Sequence, residues 1–306
     1  MSASPIRYAG LSVAAAIFVL GLKLAAWRIS GSVGLLSDAL ETLTNVGGAT
    51  MALLMLRLAA QPPDEEHAYG HSKAEYFSSG FEGMLIFFAA GLIAHEAVPR
   101  LFHPQPIQSV GLGLGIAVFA TLINFAVARI LRRASRHHDS ITLDADARHL
   151  MADVWTTVGV VAGVALVALT GWLWLDAVVA LAVAVNVLWE GYSLIREAAM
   201  GLMDAAWPEA EKRVLTDVLD RFRAEGKPGE IEFHALRTRS SAARRFVDFH
   251  VLVPGEWSVQ RGHDLVERIE QELDARLPRL TVFTHLEPSE DPRSYNDEGL
   301  DRAPEP

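Results

Sequence analysis

The chain has 306 residues, 51% hydrophobic and 21% charged, with a formal net charge of −10 and no cysteine; its mean hydropathy is +0.22. That balance is too apolar for an ordinary soluble domain and too charged for a chain that lies entirely in a membrane. The missing thiols remove disulfides, thiolate metal centres and cysteine nucleophiles, and the acidic balance argues against a nucleic-acid partner.

The opening MSASPIRYAG has no cleavage pattern of a signal peptide. Six apolar stretches of spanning length follow, at about 8–28, 32–57, 75–97, 108–130, 145–170 and 173–195. Lys23 lies in the first, and the third is interrupted or flanked by Glu82, His95 and Glu96. The loop RILRRASRHH after the fourth stretch is strongly basic, whereas TGW between the fifth and sixth is uncharged. The positive-inside rule therefore places the basic loop in the cytoplasm. With six spans, both termini and the loop RLAAQPPDEEHAYGHSK fall on that side too.

From Asp204 the composition changes. PEAEKRVLTDVLDRFRAE is an amphipathic helix with Val214, Leu215, Val218, Leu219 and Phe222 on one face. EIEFHALRT and RRFVDFHVLV alternate as strands, with Ser240 and Ser241 expected in the turn between them. VQRGHDLVERIEQELDARL is a second helix and LTVFTHLEP a last strand. The order α-β-β-α-β predicts a small α+β sandwich with its helices on one face of a sheet. After Leu286 there are seven acids and two arginines, which predicts a solvated, poorly ordered tail. The expected organisation is a six-helix membrane domain over 1–203, an α+β domain over 204–290 and an acidic tail over 291–306.

Several polar residues are not explained by this periodicity. His149 and Asp153 stand four apart at the head of the fifth span, and Glu41 and Asn45 repeat that spacing in the second. On a helix each pair shares one face, and ionisable groups at membrane depth usually face the bundle interior along an ion path. Two such pairs supply four ligands, the usual count for a tetrahedral divalent metal. The bland reading is an interfacial cap, or pairing with Arg148. Asp38, one turn before Glu41, either adds charge to that pair or caps and packs, and the second is favoured.

In the loop, Asp64, His67 and His71 offer a carboxylate and two imidazoles for a second metal, or are simply solvated. In the soluble part His234, His250 and His285 lie on strands, with Glu287 ending the third and His263 starting the second helix. Adjacent strands are about 5 Å apart, so imidazoles on them can converge on one ion.

The motifs GSVGLLSDALETLTN, HAYGHSKAE, DADARHLMADVWTT, HALRTR and THLEP, in this order, resemble the cation diffusion facilitators over about residues 8–288. The resemblance implies six transmembrane helices followed by a cytoplasmic metallochaperone-like domain. It also implies a homodimer that exports divalent cations in exchange for protons. By position, Glu41, Asn45, His149 and Asp153 match the transport site, and Asp64, His67 and His71 a loop site. His234, His250, His263, His285 and Glu287 match a binuclear site in which Glu287 bridges two ions. Lys73 and Asp204 match a charge pair that locks the dimer near the membrane surface. Members thought to carry zinc usually have Asp or His, then Asp, where this chain has Glu41 and Asn45.

The expected function is proton-coupled efflux of a divalent transition metal by alternating access. Zinc is the first choice, because a histidine-containing four-ligand site suits it better than manganese or magnesium. Iron(II), cobalt, nickel and cadmium are the alternatives. The competing reading is a membrane-anchored metal sensor or heterodimer partner that does not transport. A membrane enzyme is disfavoured, because there is no HExxH, nucleophile motif or phosphate-cradling glycine loop. The expected location is a bacterial inner membrane, with the lipid bilayer, protons, metal cations and a second copy as partners.

Overall fold

The computed structural model describes residues 4–30, 33–103, 111–172 and 174–296, and within those helices some side chains lie outside the description. The chain folds as two compact units, Met1–Met200 and Gly201–Pro306.

The first unit consists of six long helices. They are α1 (Pro5–Ser30), α2 (Val33–Ala59), α3 (Ala74–Phe102), α4 (Gly111–His138), α5 (Ile141–Thr170) and α6 (Trp174–Leu202). Among the described residues, the stretches Pro5–Ala25 and Ala74–Phe102 are long and apolar enough to cross a membrane, and Asn45–Ala59 is a shorter apolar helix. The acid inside the third stretch does not stop it being one of the two.

The basic run expected as a loop after the fourth stretch is instead the last turns of α4, so the connection to α5 shrinks to Asp139 and Ser140. Arginines are good helix formers, and Arg136, His137 and His138 complement the negative end of the helix dipole. Asp139 then takes a left-handed conformation, φ 53°, that reverses the chain.

Small residues bring these helices together. α1, α2, α4 and α5 share a core built on Ala9, Leu56, Ala128, Leu131, Leu143 and Leu150. α3 and α6 meet at Gly83 and Gly191, where a Cβ on Gly191 would stand 2.8 Å from the Phe87 backbone nitrogen. Such close approach is typical of small-residue contacts between membrane helices.

The second unit runs α7 (Glu209–Glu225), β1 (Glu232–Ser241), β2 (Arg244–Val253), α8 (Val259–Arg276) and β3 (Leu280–Pro288). Glu209 and Glu211 complement the N-terminus of α7. Its buried residues Leu215, Val218, Leu219 and Phe222 follow the helical repeat. The Ser258 side chain caps α8 by accepting from the Arg261 backbone N–H at 3.2 Å. The sheet order is β1-β2-β3; β1 and β2 are antiparallel, and β3 is parallel to β2 through the α8 crossover.

The hairpin turn is not at Ser240–Ser241 as expected. The strand continues to Ser241, which pairs with Arg244, and Ala242 turns the chain at φ 50°. A two-residue loop matching the strand twist needs such a left-handed position. At the other end of the unit, a 3-10 turn at Pro292–Tyr295 is tied back by Ser294 Oγ donating to the Pro288 carbonyl at 2.8 Å. Built structure therefore continues to Asn296, and the expected tail beyond it lies outside the described residues.

Both helices pack on one sheet face against Phe233, Val247, Phe249 and Val251. Gly262 lets α8 approach β3, since a Cβ there would stand 2.2 Å from Leu286 Cδ2. Trp207, 2% exposed, closes the core, its Nε1 donating to the Arg239 carbonyl at 2.9 Å. Trp207→Ala should cost about 3–5 kcal/mol of stability in this unit, read from its chemical melting midpoint; a loss under about 1 kcal/mol would contradict a core role.

Candidate metal centres

α2 carries Asn45 and α5 carries His149 and Asp153. Asn45 and His149 are 5% and 4% exposed. His149 Nε2 lies 2.7 Å from Asn45 Oδ1, and Asn45 Nδ2 donates to Asp153 Oδ2. The amide of one helix thus sits between the imidazole and the carboxylate of another. Glu41 belongs to α2 one turn before Asn45, but its side chain, like that of Asp38, lies outside the described residues.

Arg148 is engaged elsewhere. It contacts Asp144 at 2.7 Å, Glu197 at 3.5 Å and Glu190 at 4.0 Å, tying α5 to α6. That network leaves His149 and Asp153 to face Asn45.

Two acids of α3 gained no role from the sequence. Glu82 is fully buried, with Oε2 3.2 Å from His149 Nδ1; the signal that could have found it is an acid in the middle of an apolar run. Glu75 accepts from Ser140 Oγ at 2.5 Å and from the Thr142 backbone N–H at 3.3 Å. It thereby caps the start of α5 and fixes that helix beside α3.

In the loop, Asp64, His67 and His71 bring ligand atoms within 4.8 Å of one another. Asp64 Oδ1 accepts the His67 backbone N–H at 2.6 Å, which holds the Asp64 carboxyl below its ordinary pKa, aided by both imidazoles. His71 Nε2 is 3.3 Å from Asp64 Oδ2, while its buried Nδ1 has no hydrogen-bond partner. Lys73 follows this loop ahead of α3.

On the sheet, register sets the geometry. His234 pairs with His250 across β1–β2, and His250 with His285 across β2–β3. Strand alternation puts this row on the face opposite the helices. Adjacent ring centroids are 4.9 and 5.0 Å apart. Glu287 Oε2 lies 3.0 Å from His234 Nε2 and 3.0 Å from His250 Nδ1, and its Oε1 lies 3.4 Å from His285 Nδ1. A register break follows His234, with Ala235 at φ 52°, as bulges often do beside functional sites.

His263 does not join this row. It stands on α8, well exposed, with Glu267 at 3.9 Å. Asp204, at φ 56°, has Arg239 at 3.9 Å within its own unit.

The buried amide–imidazole–carboxylate chain of the helical bundle and the histidine–carboxylate cluster of the α+β unit each bring together side chains of the types that hold metal cations. The family model for the cation efflux transmembrane domain matches residues 10–203, and that for the cytoplasmic domain of cation efflux proteins matches residues 214–289. The chain belongs to this family, the cation diffusion facilitators, and is a cation efflux transporter. It is 51% identical over 288 residues to the uncharacterized transporter sll1263 of Synechocystis sp., covering 94% of this chain and 92% of that one. It is 30% identical over 286 residues to the cation-efflux pump FieF of Salmonella arizonae, covering 92% of each. A solved structure of CzrB in its zinc form is 32% identical, with a TM-score of 0.24 over 27% of this chain and 88% of that one.

Proposed function

We propose that this transporter exports a divalent transition-metal cation from the cytoplasm in exchange for protons, with zinc its first substrate. The observation that carries the reading is the buried chain Asn45–His149–Asp153, which sets ligand types from two helices within contact of one another. With Glu41 it supplies four ligands. Cation-bound imidazole must be neutral and cation-bound carboxylate ionised, so cations and protons compete for the same atoms. Facing the cytoplasm the site loads metal; facing a more acidic exterior it exchanges metal for protons. In this reading all six helices of 1–203 span the membrane, both termini are cytoplasmic, and 204–290 is a cytoplasmic dimerisation domain of a homodimer in a bacterial inner membrane. The loop cluster and the sheet cluster bind metal as well, Glu287 bridging two ions on the sheet.

The test is flux into sealed proteoliposomes under an imposed proton gradient, with zinc, cadmium, iron(II), cobalt, nickel and manganese. Gradient-dependent zinc flux is expected; no flux for any ion would leave the sensor or partner reading standing. Asn45 supplies an amide oxygen and no charge. Asn45→Asp should therefore tilt the profile toward zinc and cadmium by roughly tenfold, about 1.4 kcal/mol. An unchanged profile would remove Asn45 from the ligand set.

A further inference from the structure

Resting on that transport reading, the geometry points to Glu82 as a positioning residue of the transport site: its carboxylate accepts a hydrogen bond from the Nδ1–H of His149 and so turns Nε2 toward the cation. The two ring nitrogens of His149 face opposite neighbours. Nε2 lies 2.7 Å from Asn45 Oδ1, to which it donates until a cation takes its place, on the side that leads to Asp153. Nδ1 lies 3.2 Å from Glu82 Oε2, on the side of α3. A neutral imidazole that gives Nε2 to a cation must carry its proton on Nδ1, and a metal-binding histidine almost always donates that second N–H to a carboxylate, a carbonyl or water.

Two further observations support this assignment. Glu82 Oε1 and Oε2 and His149 Nδ1 are all buried and none has a hydrogen-bond partner, which is rare for buried polar atoms. When a cation takes Nε2 and the ring proton sits on Nδ1, Nδ1 and Glu82 Oε2 satisfy each other. α2 also leaves room for the acid. A Cβ on Gly48 would stand 2.6 Å from Glu82 Oε1 and 2.8 Å from Oε2, so only glycine fits one turn beyond Asn45 while the carboxylate keeps its place. Glu82 thus sets a carboxylate behind the imidazole of a site in which Asn45 brings no charge.

The experiment uses the full chain in a His67→Ala, Glu287→Ala background, so that zinc reports on the bundle. Glu82→Gln should weaken zinc binding by about 10–100-fold, the usual cost of losing a metal ligand's supporting partner. In 15N-histidine spectra, the His149 pattern of protonated Nδ1 and zinc-bound Nε2 should shift in Glu82→Gln, a change that loss of packing alone would not produce. Gly48→Ala displaces the carboxylate without removing it and should move both readouts in the same direction by less; it carries the test if Glu82→Gln does not fold. Wild-type affinity and an unchanged His149 spectrum in the folded variants would overturn the role of Glu82. Absence of zinc flux in the wild-type chain would instead overturn the transport reading, because binding and spectra test Glu82 without flux.

Discussion

Asp153→Asn should abolish zinc flux, by at least about 100-fold or 2.7 kcal/mol, while leaving the bundle nearly as stable as before. Asp153 holds the end of the Asn45–His149–Asp153 chain of contacts, accepting from Asn45 Nδ2, and it is the member of that chain with a carboxylate. An amide at 153 can still accept that hydrogen bond through its oxygen, so the packing of α2 on α5 keeps its polar contact. What disappears is the charge that draws a divalent cation out of water and is later available to a proton. Asp153→Ala separates the two effects. It removes charge and acceptor together, and loss of the acceptor for Asn45 Nδ2 costs about 1–3 kcal/mol. Flux should fall in both variants, and the melting temperature should fall mainly in Asp153→Ala. Zinc transport by Asp153→Asn at the wild-type rate would remove Asp153 from the transport machinery.

The parts of this molecule that are legible in the sequence are those that depend on local repeats. Apolar runs locate all six long helices, and alternation locates β1, β2 and β3, because burial imposes periods of 3.6 and 2 on side chains. Limits of the helices are less visible. Hydropathy reports transfer into hydrocarbon and is silent on helix formation in water, so the arginine-rich end of α4 reads as a loop. The hairpin turn falls later than expected because Ser240–Ser241 is better turn chemistry than Ala242–Ala243, yet cross-strand pairing runs through Ser241. The approach of His149 and Asp153 to Asn45 is prefigured by the spacing of polar residues within each helix, whereas the Glu41 side chain lies outside the described residues. Glu82 is not prefigured in this way, since its relation to His149 is a contact between helices 67 residues apart in sequence. His263, placed on the second helix by the sequence and joined to the strand histidines by the resemblance alone, stands on α8 with Glu267 at 3.9 Å.

Zinc should raise the melting temperature of the second unit, and Glu287→Ala should remove most of that rise. Register, and not the flexibility of the side chains, holds His234, His250 and His285 in one row across three strands. Glu287 touches all three from a largely buried position. Because the sheet fixes the donors before metal arrives, binding free energy is spent little on ordering them and appears as folding stability. At zinc a hundredfold above its Kd the gain is about 2.7 kcal/mol, which for a unit of this size is roughly 10–20 °C. Protons compete for the same nitrogens, so the gain should shrink as pH is lowered. Without zinc, Glu287→Ala should itself cost about 1–3 kcal/mol, since His234 and His250 lose the carboxylate they contact, so the readout is the zinc-dependent rise in each protein and not the absolute melting temperature. A zinc-induced rise of the same size in wild type and Glu287→Ala would put the ion elsewhere in the unit, and the sheet row would then be a hydrogen-bonded cluster with no metal to hold.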